Sequence, residues 1–294
     1  MATDLDPAAA AVSLALHARP AGAGLPAHPG RTSAFARRWL FAACITLLYV
    51  FLLAPLAVVM VASFSPDQAS TYAWSQASLR WYREFVGNDS FVDAFKFSLL
   101  LALVASLVST AIGFVTAYGI TRHLGRRREL GQSLAMLPMM VPHILISLSL
   151  LLLLSLLPLP ELAALAIGHV LICLPFTIAG ITASLEGVDP DLERAAHTLG
   201  AQRWRALWEV TIPLAAPGVL SAAIFAFIIS FGDVYIALFL SGPGMTTLPI
   251  EIFSYVQWES SPVVAAITTL QIVMIVLFGL VIERLVGLRA AMRI

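Results

Sequence analysis

The chain has 294 residues, of which 60% are hydrophobic and 12% charged, with a mean hydropathy of +0.90. A soluble domain carries roughly 25% charge, so these charges cannot cover a water-facing surface, and lipid is the natural solvent for much of the chain. The formal net charge of +0 gives no global attraction for nucleic acid, and the two cysteines, Cys44 and Cys173, lie inside apolar runs rather than in a disulfide framework.

The first 36 residues are rich in Ala, Pro and Gly and have no periodic apolar face, which reads as a disordered tail. A membrane-spanning helix needs about 20 mostly apolar residues. Six later runs qualify: Trp39–Phe64, Phe97–Ile120, Leu134–Leu157, Leu162–Leu185, Val219–Leu240 and Val263–Ile282. Pro138 and Pro142 in the third run, and Pro175 in the fourth, predict kinks that neighbouring helices satisfy. Between the first two runs, Trp74, Trp81 and Tyr82 are expected at the lipid–water interface or against a partner outside the membrane.

Charge placement orients the runs. Arg19, Arg31, Arg37 and Arg38 precede the first run, and Arg122, Arg126, Arg127 and Arg128 follow the second. Arg194, Arg203 and Arg205 follow the fourth, and Arg284, Arg289 and Arg293 end the chain. The opposite side holds Arg80, Arg83 and Lys96. The excess of basic residues predicts that both termini are cytoplasmic.

The fourth connection, residues 187–213, has its own helix logic. Asp189 is placed to cap a helix with Pro190 at its first position and Asp191 near the positive end. Leu192, Ala195, Ala196 and Leu199 recur at helical spacing on one face, and Gly200 is a terminator. A second short helix over residues 202–210 puts Trp204, Leu207 and Trp208 on one face, and Pro213 ends it. Such a pair lies on lipid or docks to a protein.

The order A-A-x-x-L-G-A, a dozen residues, then P-x-x-x-P-G resembles the cytoplasmic "EAA" loop of permease subunits of bacterial ABC importers. The resemblance continues in Trp74–Tyr82, in S-F-G-D-V-Y-I-A-L-F-L-S-G-P-G at Ser230–Gly244, in Thr247–Val256 and in Ser261–Ile267. Together these are similar to the second permease of spermidine/putrescine-type importers, a branch that also includes carriers of opines, aminophosphonates and other small solutes. The fold class implied is all-α: a polytopic, type I importer permease-like protein of about six transmembrane helices in the bacterial inner membrane. The implied partners are a second permease forming a heterodimer, two ATPase subunits that bind ATP and magnesium, and a periplasmic substrate-binding protein. No cofactor is expected on this chain. The resemblance assigns ATPase coupling to Glu193, Arg194, Ala195, Ala196, Leu199, Gly200 and Ala201. Aligned on L-G-A, the family's docking glutamate falls at Arg194, with Glu193 about 100° away around the helix. Either Glu193 takes the docking role, or the ATPase surface has changed its charge.

One acid lies inside a run. Asp233 sits about 14 residues beyond Val219, so roughly 21 Å along a helix axis. Charged groups at such depth usually face a cavity. Ala222, Ala226, Ser230, Asp233 and Ala237 form a small, polar stripe suited to a pathway wall or to close helix packing, and a carboxylate there suits a cationic solute. His143 with Ser147, His169 with Cys173 and Thr177, and Thr268 with Gln271 are adequately explained by interhelical hydrogen bonds. The sole lysine, Lys96, follows Phe95, which excludes a phosphate-binding G-x-x-x-x-G-K-[ST] loop. Two other classes fit poorly. An intramembrane serine protease would need a base beside Ser133, which borders the arginine-rich loop. A secondary transporter would need buried coupling residues in several spans and an internal repeat.

Overall fold

The computed structural model describes residues 31–66, 77–258 and 261–291, and every regular element among them is a helix. The chain divides into two compact units, residues 1–56 and 57–294. The first holds most of helix α1 (Arg31–Ala62), so residues 31–36 are helical, while residues 1–30 of the expected tail lie outside the described residues.

The second unit takes in the last turns of α1 and then α2 (Arg80–Gly87), whose Trp81 and Phe85 share one buried face. The Trp81 indole donates to the Ser65 carbonyl at 2.6 Å, and the hydroxyls of Tyr82 and Ser63 lie 2.8 Å apart. Trp81, at 1% exposure, is therefore core rather than interface or partner contact. Trp74 lies outside the described residues. Helix α3 (Asp89–His123) follows at once, its N-terminus capped by the Asn88 side chain, which accepts from the N–H groups of Ser90 and Phe91. Its 35 residues reach about 52 Å, enough to cross a ~30 Å hydrocarbon core at a tilt.

The expected third span is broken. Helix α4 (Arg128–Met140) and α5 (His143–Ser155) meet at 92°. Pro142 supplies no N–H, and it holds Val141 in extended backbone, so the helix cannot continue. Helix α6 (Glu161–Glu186) carries Pro175 without breaking. After it come α7 (Pro190–Thr198), α8 (Arg203–Ala206), a π turn (Leu207–Thr211), α9 (Ile212–Phe231), α10 (Tyr235–Leu240), α11 (Leu248–Trp258) and α12 (Val263–Ala291). Among the described residues, five helices are long and apolar enough to cross a membrane, or six if the bent α4–α5 pair is one span.

Pro213 does not end a helix, as the sequence predicts, but is absorbed into one running from Arg203 to Phe231. The Ile212 N–H bonds to the Leu207 carbonyl, five residues back. That extra residue widens the turn where the Pro213 ring would otherwise clash with a carbonyl.

Helices α3, α6 and α9 form the centre of this unit. Small residues bring them close: a Cβ on Gly113 would lie 2.5 Å from Thr177 Oγ1, and one on Gly180 would lie 3.1 Å from Ala222 Cβ. Short polar side chains then join neighbouring helices. Ser106 donates to the Ala223 carbonyl at 2.6 Å, Thr177 to Ser109 at 3.0 Å, Cys173 to Ala226 at 3.2 Å and Ser184 to Ala215 at 3.1 Å.

Candidate coupling helix and helix break

Helix α7 starts and stops where local chemistry directs. The Asp189 side chain accepts the Asp191 N–H at 2.9 Å, with Pro190 in the first turn. At the other end Gly200 has φ +90°. Ala201 N–H bonds to Ala196 and Gly200 N–H to His197, each at 3.0 Å, which satisfies the last carbonyls. The amphipathic face is turned outward: Leu199 is 89% exposed, and Leu192, Ala195, Trp204 and Trp208 are exposed too. Within α7 only Glu193 and Ala196 are not fully exposed.

The two charges left open by the sequence part company. Glu193 points inward: Oε1 accepts from Arg122 Nε at 3.0 Å and from Thr211 Oγ1 at 2.8 Å, and Oε2 accepts from the Tyr118 hydroxyl at 3.2 Å. The Arg122 and Glu193 side chains are 11% and 12% exposed. Arg194 points into solvent, where it pairs at 2.7 Å with Asp191 on the same turn, the two side chains at 78% and 72% exposure. No periodic pattern in the sequence links Glu193 to Arg122, Tyr118 and Thr211, which lie 71, 75 and 18 residues away.

The fifth run is interrupted. Helix α9 ends at Phe231, residues 232–234 are non-helical, and α10 starts at Tyr235. Asp233 is thus not on a continuous helical stripe. Its Oδ2 accepts the N–H groups of Ile236 at 2.7 Å and Ala237 at 3.4 Å, so it caps α10. The residue is 7% exposed. Ala226, Ser230 and Ala237, the small residues of the expected stripe, are all buried. The two alanines are fully buried, and the Ser230 hydroxyl lies 2.9 Å from Nδ1 of buried His169 on α6.

A helical bundle with several membrane-length apolar helices, close small-residue packing and an exposed amphipathic helix between two spans defines a multi-pass membrane protein. Residues 109–290 match the family described as "Binding-protein-dependent transport system inner membrane component", and the chain belongs to that family. It is 31% identical over 230 residues to the Escherichia coli K12 "Spermidine/putrescine transport system permease protein PotC", covering 78% of this chain and 87% of that one. It is 32% identical over 231 residues to the "Putrescine transport system permease protein PotI" of the same organism, covering 76% and 82%. Among solved structures, a bacterial ABC transporter that imports the acidic polysaccharide alginate superposes with a TM-score of 0.65 at 16% identity, covering 88% of this chain and 99% of that one. The last likeness carries the fold alone.

Proposed function

We propose that this chain is one half of the membrane pathway of an ATP-driven importer that carries a small, cationic, polyamine-like solute from periplasm to cytoplasm. The observation that carries the reading is an exposed amphipathic helix, α7, set between two spans of a chain that belongs to a binding-protein-dependent transport family. A helix that turns Leu192 and Leu199 to water is a surface for a partner. The partner is an ATPase, present in two copies and supplying ATP and magnesium, with a second permease completing the membrane path and a periplasmic binding protein delivering solute. Basic residues at the α7 end of the bundle favour a cytoplasmic location for that end and for both termini in the bacterial inner membrane. The exposed Arg194 then occupies the position of the family's docking charge, facing an acidic group on the ATPase.

The solute route passes the α9–α10 break. Non-helical backbone at membrane depth is tolerated where it is buried in protein or lines a cavity. There the carbonyl end of α9 and the Asp233 carboxylate both favour a positive charge. The kinship with polyamine permeases supports the same solute class.

The test is reconstitution of this chain in proteoliposomes with its partner permease, ATPase and binding protein. ATP-dependent accumulation of radiolabelled spermidine or putrescine is expected. Uptake without ATP, or ATP-driven uptake of an anionic solute only, overturns the reading.

A further inference from the structure

We propose that Glu193 and Arg122 form the pivot through which the docking helix moves the spans, so that Glu193 transmits force rather than binding the ATPase. The proposal rests on the reading of α7 as the ATPase-docking helix.

The cluster joins four elements within a few ångströms. Glu193 belongs to α7, Tyr118 and Arg122 to the last turns of α3, and Thr211 to the π turn that feeds α9. The same guanidinium reaches the end of α6, where Nη2 donates to the carbonyls of Val188 at 3.0 Å and Leu185 at 3.4 Å. One carboxylate and one guanidinium therefore hold the ends of α3 and α6, the start of α9 and the docking helix together.

Two features make this a transmission point and not a surface bridge. First, Glu193 is one of only two inward-facing side chains on α7, so a tilt of that helix must pass through it or through Ala196, which has no polar group. Second, removing one partner of a largely buried charge pair leaves the other uncompensated, so the contact resists being pulled apart. A load on α7 is then carried to three spans instead of being lost in the loop. The π turn beside Thr211 lets α9 respond, because a widened turn is a place where helix register adjusts. With all its hydrogen bonds made inside this chain, Glu193 has little surface to offer an ATPase, whereas Arg194 beside it has much.

The experiment uses the complete reconstituted importer and compares Glu193→Gln, Arg122→Gln, the reversed pair Glu193→Arg with Arg122→Glu, and Tyr118→Phe. Three quantities are read: ATPase co-purifying with the complex, ATP hydrolysed, and solute taken up per ATP. Glu193→Gln is expected to keep the ATPase bound and hydrolysing while uptake per ATP falls about tenfold, the size expected for one hydrogen bond to a charged group. Tyr118→Phe, which removes a single hydroxyl, should give a smaller loss of the same ratio, and the reversed pair should recover part of it. Loss of ATPase from Glu193→Gln complexes makes Glu193 a docking charge and overturns the proposal. An unchanged uptake-to-ATP ratio in both Glu193→Gln and Tyr118→Phe overturns it too. If Glu193→Gln or Arg122→Gln fails to fold, the Tyr118→Phe ratio decides. Should the wild-type chain retain no ATPase, the docking reading of α7 fails instead.

Discussion

The carboxylate of Asp233 accepts the backbone N–H of Ile236 at 2.7 Å, which ties the acid to the first turn of α10. The bond separates two roles that the residue combines, capping and charge. Asparagine keeps an oxygen that can accept the same N–H and removes the charge; alanine removes both.

Asp233→Asn is expected to leave assembly intact and to lower uptake of a cationic solute roughly ten- to hundredfold, because hydrogen bonds to charged groups contribute about 1.5–3 kcal/mol. Asp233→Ala should add a loss of about 1 kcal/mol in stability from the missing cap, read as a lower melting temperature in detergent. Wild-type uptake by an assembled Asp233→Asn importer would remove the charge from the solute route and leave only the cap.

Gly200 holds φ +90° and ends α7. Proline is fixed near φ −65° and lacks the N–H that Gly200 donates to His197. Gly200→Pro should therefore disorder the turn between α7 and α8 while the spans still insert. Strain of 1–3 kcal/mol at such a position predicts a drop of about fivefold or more in ATPase association. Quantitative pull-down checks this, and normal association with normal uptake would show that the turn is not needed for docking.

What sequence made legible here was local. Asp189, Pro190 and Gly200 announce both ends of α7 because caps depend on residues a few positions apart. The six apolar runs mark the five membrane-length helices and the bent α4–α5 pair because length and hydropathy are also local properties. The missed features depend on distant partners or on competition between neighbours. Trp81 reads as an interface aromatic until its indole meets the Ser65 carbonyl across a connection. The run Val219–Leu240 gives no sign of a break, which is set by Asp233 offering its own oxygen to the N–H groups beyond it. Pro213 reads as a stop because a π turn is not coded by any simple period. Glu193 and Arg194 look interchangeable until the fold brings Arg122 and Tyr118 to one of them.

Arg194 is the charge available to a partner, with 78% of its side chain exposed. Its bridge to Asp191 is exposed as well, and such pairs contribute about 0–1 kcal/mol. Arg194→Ala should thus weaken ATPase association less than about tenfold. Arg194→Glu, which places like charges opposite each other at the interface, should weaken it more. Both effects should shrink as salt rises toward 1 M, where the screening length falls to about 3 Å. Pull-down across a salt series measures this, and equal association by both variants at low salt would show that the interface does not read this charge.

Gly218 on α9 packs against Ser184 on α6 so closely that a Cβ there would overlap the serine Cβ and Oγ. The contact sits at the start of α9, near the turn that receives the docking helix, and it sets how closely α9 and α6 approach. Gly218→Ala should destabilise the protein by roughly 1–3 kcal/mol through overpacking. Ser184→Gly should cost about 1–2 kcal/mol by itself, since it loses the bond to the Ala215 carbonyl and adds a helical glycine. The two changes should not add. With Ser184→Gly already present, the methyl group of Gly218→Ala has room, and replacing a helical glycine by alanine then gains up to ~1 kcal/mol. The double variant should therefore melt at or above Ser184→Gly and well above the level set by the sum of the two single losses, a favourable coupling between the sites. Thermal unfolding of the four proteins in one detergent measures it. If Gly218→Ala costs the same in both backgrounds, contact with Ser184 is not what requires a glycine at this position.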